Sequence, residues 1–250
     1  MTETPDLKTD FDRYGYIAQR GFFRGDELAK LQAETARFIT EVVPTLPATE
    51  VFYETKDDKS TLKQVQQLNQ FDGYFHRLAN ADKVVGLAET LLGGPVSLKN
   101  TQYFNKMPGI GEGTPAHQDG YYFMIKPQAA VTMWLSLGHA DGENGAVAYV
   151  PGSHKAGIRP HGRTAVLGFS QGISDWCEAD VEAEQQMHAE AGDILVHHSL
   201  TIHRSNANCS QRDRKAVGFI FYRADVEIDE EAHAAYKARL NSDLQVEGKI

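Results

Sequence analysis

Cysteine is nearly absent: Cys177 and Cys209 are the two in 250 residues. Two thiols do not make a disulfide framework, so a packed core must supply the stability, and a reducing cytoplasm is the expected setting. Long apolar runs are also missing. None approaches the roughly 18 residues that a membrane-spanning helix needs. Met1 to Asp12 is polar and acidic, with no apolar stretch of the kind that marks a signal peptide. Positive charge is scarce: 25 Lys and Arg stand against 34 Asp and Glu, a net charge of -9. That balance argues against non-specific binding to nucleic acid or to an anionic membrane. Repeats and low-complexity segments are lacking too. What remains is 41% hydrophobic and 24% charged, an ordinary globular composition. The length suits one domain, because closed β folds often reach this size undivided.

The first third reads as mostly helical. A short helix is expected over 6–14, then a short strand at 16–18. A longer helix is expected from Asp26 to Val43, with Leu28, Leu31, Thr35, Phe38, Ile39 and Val42 on one face. Asp26 and Glu27 suit its positive end, and Pro44 and Pro47 stop it. Strands are expected at 51–55 and 62–68, then helices at 71–79 and 81–92, ended by Gly93-Gly94-Pro95. From Val96 the period changes. Short strands are expected at 96–106, 131–137, 146–150, 185–189, 194–198 and 216–222, punctuated by Gly, Pro, Asn and Asp turns. Strands that follow helices without alternating with them point to a sandwich or barrel, not a parallel sheet. The expected organisation over 1–250 is therefore a single domain. A helical part (1–95) packs on a β core (96–225), and a last helix runs over 229–240.

Residues 151–180 are the exception, a Gly-rich stretch with little periodicity. Loops of that length in compact domains are usually functional or disordered. This one carries His154, Lys155, Arg159, His161 and Arg163, a local positive patch. It suits contact with an anionic substrate, or is simply a solvated loop.

The chemistry gathers at Pro115-Ala116-His117-Gln118-Asp119-Gly120. An imidazole and a carboxylate two residues apart share one face of an extended strand. With a second imidazole from far along the chain they would make a two-histidine, one-carboxylate face, which leaves open positions on Fe(II). His203 ends a strand-like run, Ile194 to Ile202, so it is held by a rigid element. Arg214 follows across the polar turn 205–213, on a strand that would return beside His203. In that strand Ala216, Gly218, Ile220 and Tyr222 share the parity of Arg214, whereas Val217, Phe219 and Phe221 face the other way. The first set leaves room inside a barrel, and the second packs under helices. An arginine on the inner side needs a carboxylate partner, and the bidentate pair is the geometry that grips a dicarboxylate. His197 and His198 offer another pairing in principle; His198 is expected to lie behind the metal ligands or in the core. Tyr121, Tyr122 and Gln118 adjoin the metal strand and are candidates to line a substrate pocket, as is Arg159.

These residues carry a resemblance. Tyr103-Phe104-Asn105-Lys106, Thr114 to Gly120, Trp134-Leu135-Ser136-Leu137, Glu143-Asn144-Gly145-Ala146, Val150 to His154, His203-Arg204-Ser205 and Asn208-Cys209-Ser210 leading to Arg214 occur in this order over roughly residues 10 to 225. Together they resemble the phytanoyl-CoA dioxygenase family. The resemblance implies a mainly β fold with flanking helices around a double-stranded β-helix, or jelly roll. It implies His117, Asp119 and His203 as catalytic Fe(II) ligands, and 2-oxoglutarate and O2 as cosubstrates. It implies Arg214 and Ser205 at the distal carboxylate of 2-oxoglutarate, and Lys63, Gln102 and Trp134 as further contacts. Met is frequent in the family where Gln102 stands. The carboxylate at Asp119 implies hydroxylation and not halogenation, with release of succinate and carbon dioxide. The substrate class implied is a small organic metabolite, anionic ones among the candidates. Two other readings stay open at this point. One is a catalytically silent metal- and ligand-binding jelly roll, since fold does not guarantee chemistry. The other is a cupin-type metalloenzyme without 2-oxoglutarate, for which Arg214 would be dispensable. Oligomeric state is not legible in the sequence.

Overall fold

The change of period at Val96 marks the longest strand, Val96–Lys106, and it lies inside a seven-stranded antiparallel sheet. The order across that sheet is Tyr16–Gln19, Ile194–His198, Ala130–Ser136, Arg214–Arg223, Val96–Lys106, Leu62–Val65 and Val51–Tyr53. A second antiparallel sheet has four strands, in the order Gln185–Met187, Val147–Tyr149, His203–Ser205 and Thr114–His117. This is a mainly β architecture with a jelly-roll core and flanking helices. The chain is seen here as a computed structural model that describes residues 6–55, 57–164, 166, 171–235 and 238.

Alternation along Arg214–Arg223 sorts its side chains as the parity predicts. Val217, Phe219 and Phe221 join Val131, Met133, Leu135, Ile194 and Val196 in one buried cluster with the helices. Those helices supply Leu31, Phe38, Phe75, Val84, Leu87 and Leu91 to the same cluster. On the opposite face, Ala216 packs with Trp134, Tyr149 and Leu195, and Ile220 with Tyr222 and Phe123. The large sheet thus turns aliphatic bulk toward the helices and smaller or polar side chains toward the second sheet. Full burial of a side chain such as Phe219 stabilises the fold by about 1.5–3 kcal/mol.

The helix expected over 26–43 runs as α-helix Gly25–Arg37, relaxes into a π turn at Phe38–Val42 and closes as a 3-10 turn at Val43–Thr45. Pro44 sits at the start of that last turn, where its missing N–H costs no helical bond. Leu31, Thr35 and Phe38 of the expected face are buried. The strand expected over 62–68 stops at Val65, and Leu68–Phe71 is already helical. Val96–Lys106 and Ile194–His198 run as expected. The segment 151–180 is more ordered than its composition suggests. It holds a 3-10 turn at Ser153–Ala156, paired strands His161–Arg163 and Gln171–Ile173, and the start of helix Glu178–Ala183. Of the helix expected over 229–240, helical backbone is described at 230–235 and 238, and the rest lies outside the described residues.

Candidate metal and cosubstrate site

The small sheet brings the two histidines together. His203 faces His117 directly across the pairing of His203–Ser205 with Thr114–His117, and their ring centroids are 4.1 Å apart. Each ring is held by its Nδ1: His117 against the Pro115 carbonyl at 2.8 Å, and His203 against the Thr201 carbonyl at 3.0 Å. A carbonyl accepts, so Nδ1 carries the proton in both rings and Nε2 is the atom turned toward Asp119.

Asp119 does not share a strand face with His117, as the H-x-D spacing suggested. The strand ends at His117, and Asp119 has right-handed helical backbone angles at the head of the turn Gly120–Phe123. The turn swings its carboxylate back toward the imidazoles. Asp119 Oδ1 lies 3.5 Å from His117 Nε2 and 3.7 Å from His203 Nε2. The three donor atoms are all within 4.8 Å of one another, the reach of one ion. Among the described residues this is the one such group.

Charge states fit a cation. Burial drives the His203 imidazole well below its usual range, and crowding by His197 and His117 adds to that, so the ring is neutral. Burial alone would raise the Asp119 carboxyl, but His203, His117 and His197 around it outweigh burial and hold it well below the usual carboxylate range. Two imidazoles and one carboxylate on one side of a point suit Fe(II) with open positions.

Arg214 begins the long strand opposite Lys106 and is buried. Its guanidinium lies 5.2 Å from the Trp134 ring centre, and its buried Nε has no hydrogen-bond partner among the described residues. No described carboxylate pairs with it. Burial lowers its pKa to about 10, which leaves it charged at neutral pH. Tyr149 connects the two centres: its ring centroid is 6.0 Å from that of His203, and its phenol feels the charges of both Asp119 and Arg214. Lys106 places a buried amine beside Arg214. It donates to the carbonyls of Asn206 and Ser205, at 2.6 and 3.4 Å, rather than to a carboxylate. Burial first, then Arg214 and Lys63, push its pKa down to about 6. A buried guanidinium without a described carboxylate, with a buried amine beside it, describes an anion site, because an unpaired buried charge is expensive.

The other residues singled out in the sequence divide. Ser205 is buried two residues beyond His203 and faces the same way. Gln102 opposes Gly218, on the parity of Phe104 and Lys106. Lys63 is paired within the protein, 2.9 Å from Glu54, with both side chains buried. Gln118 is spent as a brace and is not a free pocket wall: its amide donates to the Gly157 and Leu200 carbonyls and accepts from the Arg159 N–H. Arg159 is tied to Asp175 and Asp180 at 2.9 and 2.7 Å, so its charge is already matched. Tyr121 stacks on His161 with centroids 4.3 Å apart, and Tyr122 donates to the Gln171 carbonyl at 2.6 Å. Tyr122 also stands edge-on to His117 at 6.2 Å.

Sequence reasoning missed His197. It is His197, not His198, that lies behind the triad, with Nε2 3.1 Å from Asp119 Oδ2. His198 packs against Phe11 and His154 at the N-terminal helix. The signal was present: Ile194 and Val196 face the helices, so His197 must face inward with Leu195.

Residues 11–216 match the model of the family described as phytanoyl-CoA dioxygenase (PhyH). The chain belongs to that family. Membership brings the enzyme class with it, the iron- and 2-oxoglutarate-dependent oxygenases. The peroxisomal phytanoyl-CoA dioxygenase of Mus musculus is 26% identical over 235 residues, covering 89% of this chain and 69% of that one. A probable alpha-ketoglutarate-dependent hypophosphite dioxygenase of Stutzerimonas stutzeri is 26% identical over 217 residues, 84% of this chain and 76% of its own. Among solved structures, the epimerase SnoN in complex with Fe3+, alpha ketoglutarate and nogalamycin RO superposes with a TM-score of 0.72 at 22% identity. It covers 89% of this chain and 84% of SnoN. No described helix is long and apolar enough to cross a membrane.

Proposed function

We propose that this oxygenase hydroxylates a small organic metabolite, using Fe(II) held by His117, Asp119 and His203, 2-oxoglutarate and O2. The observation that supports it most is Arg214: a buried guanidinium with no carboxylate among the described residues, next to the buried Lys106 amine and within one tyrosine of the triad. A dicarboxylate that chelates the metal at one end and meets Arg214 at the other satisfies both centres. Bound there, iron and 2-oxoglutarate supply the oxidising chemistry, in which the cosubstrate becomes succinate and carbon dioxide as O2 is consumed.

This chain's residues do the positioning. His117 and His203 present Nε2 because their Nδ1 protons are committed to carbonyls. Asp119 supplies the negative charge that keeps a divalent cation in the site. Arg214 over Trp134 takes the distal carboxylate, with Ser205, Gln102 and the Lys106 amine beside it. Lys63 contributes through the field it shares with Glu54. Tyr121 and Tyr122 flank His117 on the side where a substrate would approach, and the Gln118 and Arg159 network holds that rim in place. Retention of the carboxylate at Asp119 favours hydroxylation over halogenation. Residence in the cytoplasm belongs to the same reading; relatives named as peroxisomal make that compartment the alternative, and imaging of the tagged protein separates them.

The test is an anaerobic titration of metal-free protein with Fe(II) and 2-oxoglutarate, read by visible absorption. Chelation of the 2-oxo acid gives a weak charge-transfer band in wild type. The band disappears in His203→Ala, and in Arg214→Ala it needs about 10²-fold more 2-oxoglutarate, the worth of a charge-assisted pair. Folded wild-type protein without the band would overturn the reading.

A further inference from the structure

We infer that His197 is the positioning residue that makes Asp119 a one-oxygen metal ligand, and that Tyr149 sets the orientation of the His197 ring. This inference rests on the proposed metal triad and extends it.

The two oxygens of Asp119 have different neighbours. Oδ1 faces His117 and His203, at 3.5 and 3.7 Å. Oδ2 points away from them and receives the Thr132 hydroxyl at 2.5 Å and His197 Nε2 at 3.1 Å. Both groups act as donors, because a carboxylate that ligates a cation is ionised and only accepts. Two donors on Oδ2 hold the carboxylate plane and keep that oxygen away from the ion. A bidentate carboxylate would occupy one more coordination position, and the cosubstrate and O2 need that position open.

Of the two neutral imidazole tautomers, the one that donates from Nε2 carries a lone pair on Nδ1. Tyr149 OH lies 3.1 Å from that Nδ1 and is the donor it requires. Tyr149 is fully buried, and burial pushes its phenol up, so it keeps its proton. The next element then holds Tyr149. Tyr16 stacks on it with centroids 4.6 Å apart and planes 16° from parallel, and Tyr16 is the register partner of His197 in the neighbouring strand. Tyr16 in turn donates to Gln185 at 2.9 Å. The chain of contacts is therefore Tyr16, Tyr149, His197, Asp119. Each member sits on a different segment, and each has little freedom to turn.

A histidine kept only for packing would be replaced without loss by a residue of similar shape. A histidine kept for its Nε2 donor is replaced only by another donor at that place. Glutamine sets an amide N–H near where Nε2 stands, while phenylalanine keeps the ring and removes the donor. The probe is Co(II), titrated alone into metal-free protein and followed by its visible absorption, with thermal unfolding of each metal-free variant in parallel. His197→Phe should bind Co(II) about 10–100-fold more weakly, the usual effect of losing an outer partner of a ligand. His197→Gln should recover most of that loss. Tyr149→Phe should weaken binding several-fold, because the His197 ring loses its anchor, and it keeps the question answerable if His197→Phe does not fold. Wild-type affinity in folded His197→Phe or Tyr149→Phe, or an equal loss in the Gln and Phe variants of His197, would overturn the inference. Absence of a Co(II) spectrum in wild type would instead sink the metal triad itself.

Discussion

The two faces of the large sheet obey opposite rules. Toward the helices, Val217, Phe219, Phe221, Met133 and Leu135 are buried and apolar, and the face is finished without any ligand. Toward the small sheet, Thr132, Trp134, His197, Gly218 and Arg214 are also buried, yet the face is polar and carries an unmatched cation. Equal burial thus has two meanings in one sheet. One face lowers the energy of the fold by leaving water; the other keeps groups out of water so that a bound anion and cation meet them undamped.

Substitutions can break this contrast. The largest expected effect is on the helix side: Phe219→Ala should lower unfolding stability by about 3–5 kcal/mol, the usual cost of an aromatic deletion in a core. Its metal and 2-oxoglutarate binding should persist well below the unfolding transition. Arg214→Ala is its mirror image, with 2-oxoglutarate binding weakened about 10²-fold and stability kept or raised, since an unpaired buried charge is removed. Chemical denaturation of the two variants beside the Fe(II) titration would show whether the faces separate; a loss of both properties in each variant would mean that they do not.

A smaller effect concerns pH. The Lys106 pKa of about 6 stands against 10.5 in an unfolded chain. Between those values the unfolded state holds the proton and the folded state does not. Stability from this group therefore rises as pH increases through that window, by about 1.4 kcal/mol per pH unit at most. Denaturant titrations of metal-free protein at pH 6.5 and 8.5 should show a shallower rise in Lys106→Met than in wild type. An unchanged slope would mean that Lys106 is protonated in the folded protein. The smallest effect belongs to the rim. Arg159 is matched by Asp175 and Asp180 near the surface, so Arg159→Ala should cost about 1 kcal/mol or less and leave the 2-oxoglutarate titration unchanged. A large rise in the 2-oxoglutarate requirement would restore Arg159 as an anion contact.

The helix side was easy to read from sequence because periodicity is local. Val217, Phe219 and Phe221 alternate with Ala216, Gly218 and Ile220, and that alternation alone assigns the faces. The triad was legible for a different reason, the ordered residues from Tyr103 to Arg214 shared with a family. Parity left His198 either behind the ligands or in the core; it lies on the core side with Phe11, because Ile194 and Val196 share its parity, and His197 takes the place behind the triad. Asp119 was expected on a strand and lies on a helical turn, since spacing cannot show where a strand stops. Gln118 and Arg159 were expected at a substrate and were found holding the loop, because hydrogen-bond partners such as Gly157 and Asp180 come together only in the tertiary structure. Substrate identity stays out of reach of sequence for the same reason.

The direct pairing of His117 with His203 has a consequence for how the protein is made. These two residues sit in opposite halves of the β region and meet only when the small sheet has closed. Contacts between distant parts of a chain form late, after the entropy of the intervening loop has been lost. A nascent chain therefore offers a passing ion His117 and Asp119 without their third partner. A cation that needs all three ligands finds them together only once the small sheet has paired, so its retention would report that pairing.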